Sequence, residues 1–130
     1  MIRKIMNEKG GLSLLEVMVA MVILAFGILS LAPLIVVSMY GNSYSNDLTV
    51  ANAIAQEEIE QLKNLDAINP LPFHTTISNM YGKYARNTWV NDVASDSTIP
   101  PGVYKIKVQI TWVDHKNLSR QVDYYSYKMK

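Results

Sequence analysis

The chain of 130 residues has no cysteine, which removes disulfides, thiolate metal ligands and a thiol nucleophile together. Any domain it forms outside the cytoplasm must therefore hold together by packing alone. It has two histidines, His74 in a connection and His115 in a turn, and neither has a partner at ligand spacing, so no metal is expected. Serines are plentiful, but none stands in a G-x-S-x-G setting, and no glycine-rich phosphate loop occurs. Enzymatic chemistry and a cofactor thus find no support in the sequence. Charged residues make up 18% of the chain and leave a net +1, which settles little about partners. The length allows one small domain beside a membrane segment, with no room for a second core.

What the chain has in quantity is uncharged, apolar sequence near its start. Residues 17–40 carry no charge, and as a helix they reach roughly 35 Å, enough for a hydrocarbon core of about 30 Å. One carboxylate, Glu16, stands at the head of this run among Leu14, Leu15, Val17 and Met18. An ionised group there is costly without a partner. A cut after Gly11 supplies one, the free amine of Leu12, and the positive end of the helix also favours an anion.

The stretch Gly10-Gly11-Leu12-Ser13-Leu14-Leu15-Glu16-Val17-Met18-Val19-Ala20, followed by an apolar helix, resembles the class III signal of type IV prepilins, the precursors of pilins and pseudopilins. The resemblance implies that a membrane-embedded prepilin peptidase cuts between Gly11 and Leu12 and methylates the amine of Leu12. Glu16 then becomes the fifth mature residue and serves assembly. The family most often has Phe where this chain has Leu12, and other apolar residues are accepted there. The lack of cysteine also rules out the cysteine-bounded C-terminal loop of many major pilins.

The expected leader, residues 1–11, carries Arg3, Lys4 and Lys9 against Glu8; its removal takes the net charge from +1 to −1. Basic residues ahead of an apolar helix keep that end in the cytoplasm and place the rest outside. A secretory signal peptide has a shorter apolar region, although Ser43-Tyr44-Ser45 fits its cleavage pattern loosely. An unprocessed signal anchor would need neither Gly11 nor Glu16.

Residues 12–40 form the membrane and assembly helix. Gly27 and Pro33 are its weak points, because an interior proline removes a backbone hydrogen bond and usually kinks the helix. The resemblance implies that this part can stretch or melt when the subunit packs into a filament. Residues 41–47 are polar and read as a frayed or bent continuation, with Asn46 or Asp47 able to cap a break. Helix then resumes through residues 41–66 as an amphipathic half. Val50/Ala51, Ile54/Ala55, Ile59, Leu62 and Leu65 recur at three-to-four spacing, and Glu57, Glu58 and Glu60 read as a solvated face.

Asn69-Pro70-Leu71-Pro72 ends the helix. Residues 67–130 then read as strands. Residues 84–90 form the weakest, with Trp89 and Val90 as its apolar content, and residues 75–81 add a short edge strand. In residues 103–113, Tyr104, Ile106, Val108, Ile110 and Trp112 alternate with polar residues. After a turn at 114–117, residues 118–129 return with Leu118, Val122 and Tyr124 on one parity and Tyr125, Tyr127 and Met129 on the other. The expected fold is α+β: a long hydrophobic helix whose C-terminal half packs on an antiparallel sheet of three to four strands, as in pilins.

Between positions 47 and 66 there are five acids and one lysine, and between 103 and 130 six bases and two aspartates. This polarity suggests that the basic sheet of one subunit meets the acidic helix of another. Lys105, Lys107, Arg120, Lys128 and Lys130 with Trp112, Tyr125 and Tyr127 also allow DNA binding, but aromatic residues in a small sheet usually pack, and DNA is not the favoured partner. Asp92 and Asp96, with Asn91 and Ser95, make an oxygen-rich loop in which a solvated state is favoured over calcium. The stem at residues 16–32 and the helix at 51–63 resemble PilV-type minor pilins. The expected function is a structural subunit incorporated into or priming a type IV pilus, with other pilins, prepilin peptidase and an inner-membrane assembly platform as partners. A minor pseudopilin of a type II secretion system shares the stem and sheet; an unprocessed, membrane-anchored binding domain is the alternative of another class.

Overall fold

A computed structural model describes residues 13–130. One helix, α1 (Leu14–Asn64), precedes four strands: β1 (Phe73–Met80), β2 (Tyr84–Asn91), β3 (Val103–Val113) and β4 (Ser119–Met129). The chain divides into two units, Met1–Gly41 and Asn42–Lys130, and α1 contributes to both.

In the first unit, Ser13 precedes the helix and its carbonyl accepts the Val17 N–H at 3.1 Å. Ser13 and Glu16 have the spacing of a capping box, in keeping with Glu16 in the first turn. Apolar side chains are exposed all round the helix, Phe26 at 71% and Leu29 at 70% among them. A helix apolar on every side is built for lipid or for the interior of an assembly. It continues through Pro33, whose missing N–H leaves the Leu29 carbonyl without its helical donor. The Ser30 hydroxyl donates to the Gly27 carbonyl at 2.7 Å, a back-bond that slightly weakens a helix.

In the second unit the polar stretch after Gly41 remains helical as part of α1. Side chains explain why it neither frays nor needs a cap. Tyr44 lies 6.5 Å from Trp112, with the Arg120 guanidinium 5.4 Å from its ring, and Ser43 shares a hydrogen bond with His115. The buried stripe of α1 is Asp47, Ala51, Ile54, Ala55, Glu58 and Leu62, the three-to-four spacing of one helical face.

The sheet is an antiparallel meander in the order β1-β2-β3-β4. Alternation in β3 sends Tyr104, Ile106, Val108, Ile110 and Trp112 toward α1, where they join Tyr84 and Val90 of β2. Ile106, Ile110, Val90 and Val108 are fully buried, and each such side chain stabilises by about 1.5–3 kcal/mol. The strand expected to be weakest, β2, is interior and pairs with neighbours on both sides. Its inward residues are Tyr84, Arg86, Thr88 and Val90, whereas Trp89 lies on the opposite parity. Two inward side chains, Arg86 and Thr88, are polar, so hydropathy undersold a central strand.

β1 begins at Phe73 and so includes His74, which is therefore in a strand and not in the connection. It loses register between Ile77 and Met80, and Asn79 (φ 60°) and Tyr81 (φ 50°) adopt the left-handed region; such irregularity blunts an exposed edge. Leu65, just past the helix, is 48% exposed, so it does not join the core as its place on the helical stripe led one to expect. Ile68 of the connection does, at 3%. The Lys128 ammonium reaches the Leu62 carbonyl at 3.3 Å and also that of Leu65, satisfying acceptors that a helix end leaves open.

Candidate functional site

Two places carry the chemistry of the described residues: the start of the apolar helix, which the sequence singles out, and a charged seam between α1 and the sheet. At the first, Glu16 is exposed in the opening turn of α1, surrounded by exposed Leu14, Leu15 and Met18. Gly11 and Leu12 lie outside the described residues. Gly27 and Pro33 both sit within the helix, and beyond its chain neighbours and the adjoining helix backbone, no described atom comes within 4 Å of the position a Cβ would take on Gly27. Nothing inside the subunit demands a glycine there.

The seam was not anticipated. Glu58, expected on a solvated face, is 5% exposed, and its Oε2 lies 2.8 Å from Arg86 Nη1 of β2. Helical phase explains the placement, since position 58 follows 47, 51, 54 and 55 on the stripe, whereas Glu57 and Glu60 fall to the side. Three turns earlier Asp47 accepts from Lys83 Nζ at 2.7 Å and from the Tyr84 hydroxyl at 3.0 Å. Burial alone would raise the Asp47 carboxyl, but the hydrogen bonds from Lys83 and Tyr84 and the Lys83 charge hold it below the usual carboxylate range. Burial, then the bond to Asp47, pushes the Tyr84 phenol up to about 12. Two acidic groups of α1 thus close on Arg86 and Tyr84 of β2 and on Lys83 in the turn before it, and fix the helix over the sheet in one register.

Four further bases are also engaged. Lys107 meets Asp123 at 3.1 Å, Arg120 meets Asp114 at 2.8 Å, Lys130 meets Asp92 at 3.2 Å and Lys105 approaches Asp96 at 3.9 Å. Trp112, proposed above as a stacking surface for DNA, is 3% exposed and belongs to the core. Much of the polarity between helix acids and sheet bases is spent inside the subunit. The aspartates of the loop after β2 are committed similarly: Asp92 Oδ1 accepts the Ala94 N–H at 3.1 Å, and Asp96 Oδ1 accepts from the Thr98 hydroxyl at 2.6 Å. The bond from Lys130 holds the Asp92 carboxyl low against the effect of burial, and the Thr98 hydroxyl does the same for Asp96. Among the described residues no three histidine, cysteine or carboxylate side chains gather as a metal-binding group.

Residues 6–32 match the family model described as the prokaryotic N-terminal methylation motif. No curated protein and no solved structure shows significant similarity to the chain. The motif supports a type IV pilin-like protein, and the long apolar helix with a four-stranded antiparallel sheet is a pilin-like α+β fold. That family is one of structural subunits and not of enzymes. The signal and the apolar helix also fit a membrane-anchored, single-pass protein.

Proposed function

We propose that the chain is a minor pilin of the PilV type, cut between Gly11 and Leu12, methylated on Leu12 and then drawn from the membrane into a type IV pilus. The observation that carries this reading is an 18-residue apolar stretch of α1 in which no residue is buried, within a helix that has Glu16 in its first turn and continues into a folded head. A surface of that size needs another medium. Before assembly the medium is lipid, with the basic leader in the cytoplasm and the head outside. After extrusion it is a bundle of neighbouring stems.

Glu16 gives the transfer its direction. In the filament its carboxylate pairs with the methylated amine of a neighbouring subunit, which compensates the charge where lipid cannot. Gly27 offers a close approach between helices, since its open side meets no atom of its own chain. The carbonyl freed at Leu29 by Pro33 and the Ser30 back-bond weaken the same two turns, so the stem can stretch there during packing.

The test is intact-mass spectrometry of the chain from sheared surface filaments and from membranes of the same cells. A chain beginning at methylated Leu12, scarce in filaments and more plentiful in membranes, is expected. Residues 1–11 still attached in membranes of cells with active prepilin peptidase, and no chain in filaments, would mean an ordinary anchor.

A further inference from the structure

The face of the sheet turned away from α1 is organised in rows that the register lines up. His74 stands opposite Trp89, Trp89 opposite Lys107 and Lys107 opposite Tyr125. The rings of His74 and Trp89 stack at 5.0 Å and 10°, and the Lys107 ammonium lies 5.1 Å from the Trp89 ring and 5.7 Å from Tyr125. Beside this row runs a polar one: Thr76 donates to Asn87 at 2.8 Å, Asn87 to Gln109 at 3.2 Å and Gln109 to Asp123 at 3.1 Å. Each side chain is held by the next. On the other flank a cup of about 330 Å³ opens between Trp89, Asn91, Lys105, Lys107 and Tyr125.

We propose that this cup, with the rows around it, binds a neutral oligosaccharide. Charge decides against a polyanion. Lys107 and Lys105 are matched by Asp123 and Asp96, and a nucleic acid or polyuronate draws its affinity from cations that are not already matched. Stacking on Trp89 is closed to bases, which need free ring faces. Those of Trp89 are taken by His74 and Lys107.

What the cup offers suits hydroxyls, which both donate and accept. The ammonium groups of Lys105 and Lys107 and the Asn91 amide, all lining the cup, can donate to them. Tyr125, 55% exposed, presents a ring against which the C–H face of a sugar can pack. Rows already fixed by their own hydrogen bonds lose little freedom on binding. The rows cross four strands, three spacings of about 4.8 Å, so the surface takes several sugar rings in line. This proposal is independent of filament assembly.

It is tested with the full chain in micelles of a zwitterionic, sugar-free detergent, applied to immobilised trisaccharides of glucose, N-acetylglucosamine and galactose, with polyuronate and single-stranded DNA alongside. Retention on at least one neutral trisaccharide is expected, changing less than about twofold between about 50 and 500 mM NaCl. Asn91→Ala and Tyr125→Ala should each weaken it by about tenfold or more while leaving the unfolding temperature unchanged. No retention on any neutral trisaccharide by folded protein overturns the proposal. So does retention confined to polyuronate or DNA that collapses at high salt, or retention that both variants keep.

Discussion

Removing the Glu58 carboxylate should be the most damaging single change in the head outside its apolar core. At the 2.8 Å separation from Arg86, the attraction is about 6 kcal/mol at an effective dielectric of 20, most of it offset by the cost of burying both charges. In Glu58→Ala that cost remains for Arg86, whose side chain is 10% exposed and whose Nε already has no partner. Breaking a buried pair from one side costs about 3–5 kcal/mol. The head, residues 42–130, is roughly 90 residues with a total stability of about 5–13 kcal/mol. At about 4–8 °C per kcal/mol, Glu58→Ala should lower the unfolding temperature by about 12–40 °C.

The assay is thermal unfolding of the full chain in micelles, followed by the near-ultraviolet signal of Trp112, which packs in the core at 3% exposure. The paired change Glu58→Leu with Arg86→Met removes both charges and should return to within about 1 kcal/mol of the parent or exceed it. A drop below about 4 °C for Glu58→Ala, or a double variant no better than the single one, would refute the argument that the pair is buried and mutually dependent.

Four further outcomes are expected. Glu16→Ala should be cut after Gly11 at the normal rate but appear in sheared filaments at a small fraction of the parent level, by immunoblot of both compartments; normal incorporation would remove the role given to Glu16. The carboxyls of Asp47, Asp92, Asp96, Asp114 and Asp123 all lie below their usual range, so their stabilising effect is complete above the unfolded value of 3.8 and is lost as pH falls through the lower folded values. Urea midpoints should hold steady down to about pH 4 and fall steeply below it. Tyr84 gives the opposite limb: its phenol is raised from 10.0 to about 12, so stability declines between those pH values by at most about 2–3 kcal/mol, and Tyr84→Phe should remove the latest phenolate absorbance step. Gly102→Ala should cost about 1–2 kcal/mol from its φ of 83° alone, since a Cβ there meets no atom within 4 Å; an unchanged unfolding temperature would show that the turn adjusts freely.

The parts of the fold legible from sequence are those where one pattern acts alone. β3 alternates strictly from Tyr104 to Trp112, and its burial alternates with it. β4 and the amphipathic part of α1 were readable for the same reason. β2 was placed but undervalued, because its inward positions hold Arg86 and Thr88, and a scan for apolar residues cannot distinguish a polar side chain aimed at a buried partner from one aimed at water. The missing signal lay in two sequences at once: an acid at the phase of Ala51 and Ile54, and an arginine at the parity of Tyr84 and Val90. Each alone looks like surface.

The stem presents the reverse situation. Its residues were legible at once, yet the isolated subunit gives them little to do, since Glu16 is exposed and Gly27 meets nothing. A residue selected to fit its own chain shows its reason in that chain, as Glu58 does in Arg86. One selected to fit a neighbour appears as an unexplained cost: a carboxylate among leucines, a proline inside a helix, a glycine where alanine has room. Three such costs along one exposed apolar helix, beside a head that pairs Asp47 with Lys83 and Glu58 with Arg86, point to different solvents for the two parts. The head is finished by folding, whereas the stem, in the function proposed above, is finished only by other subunits.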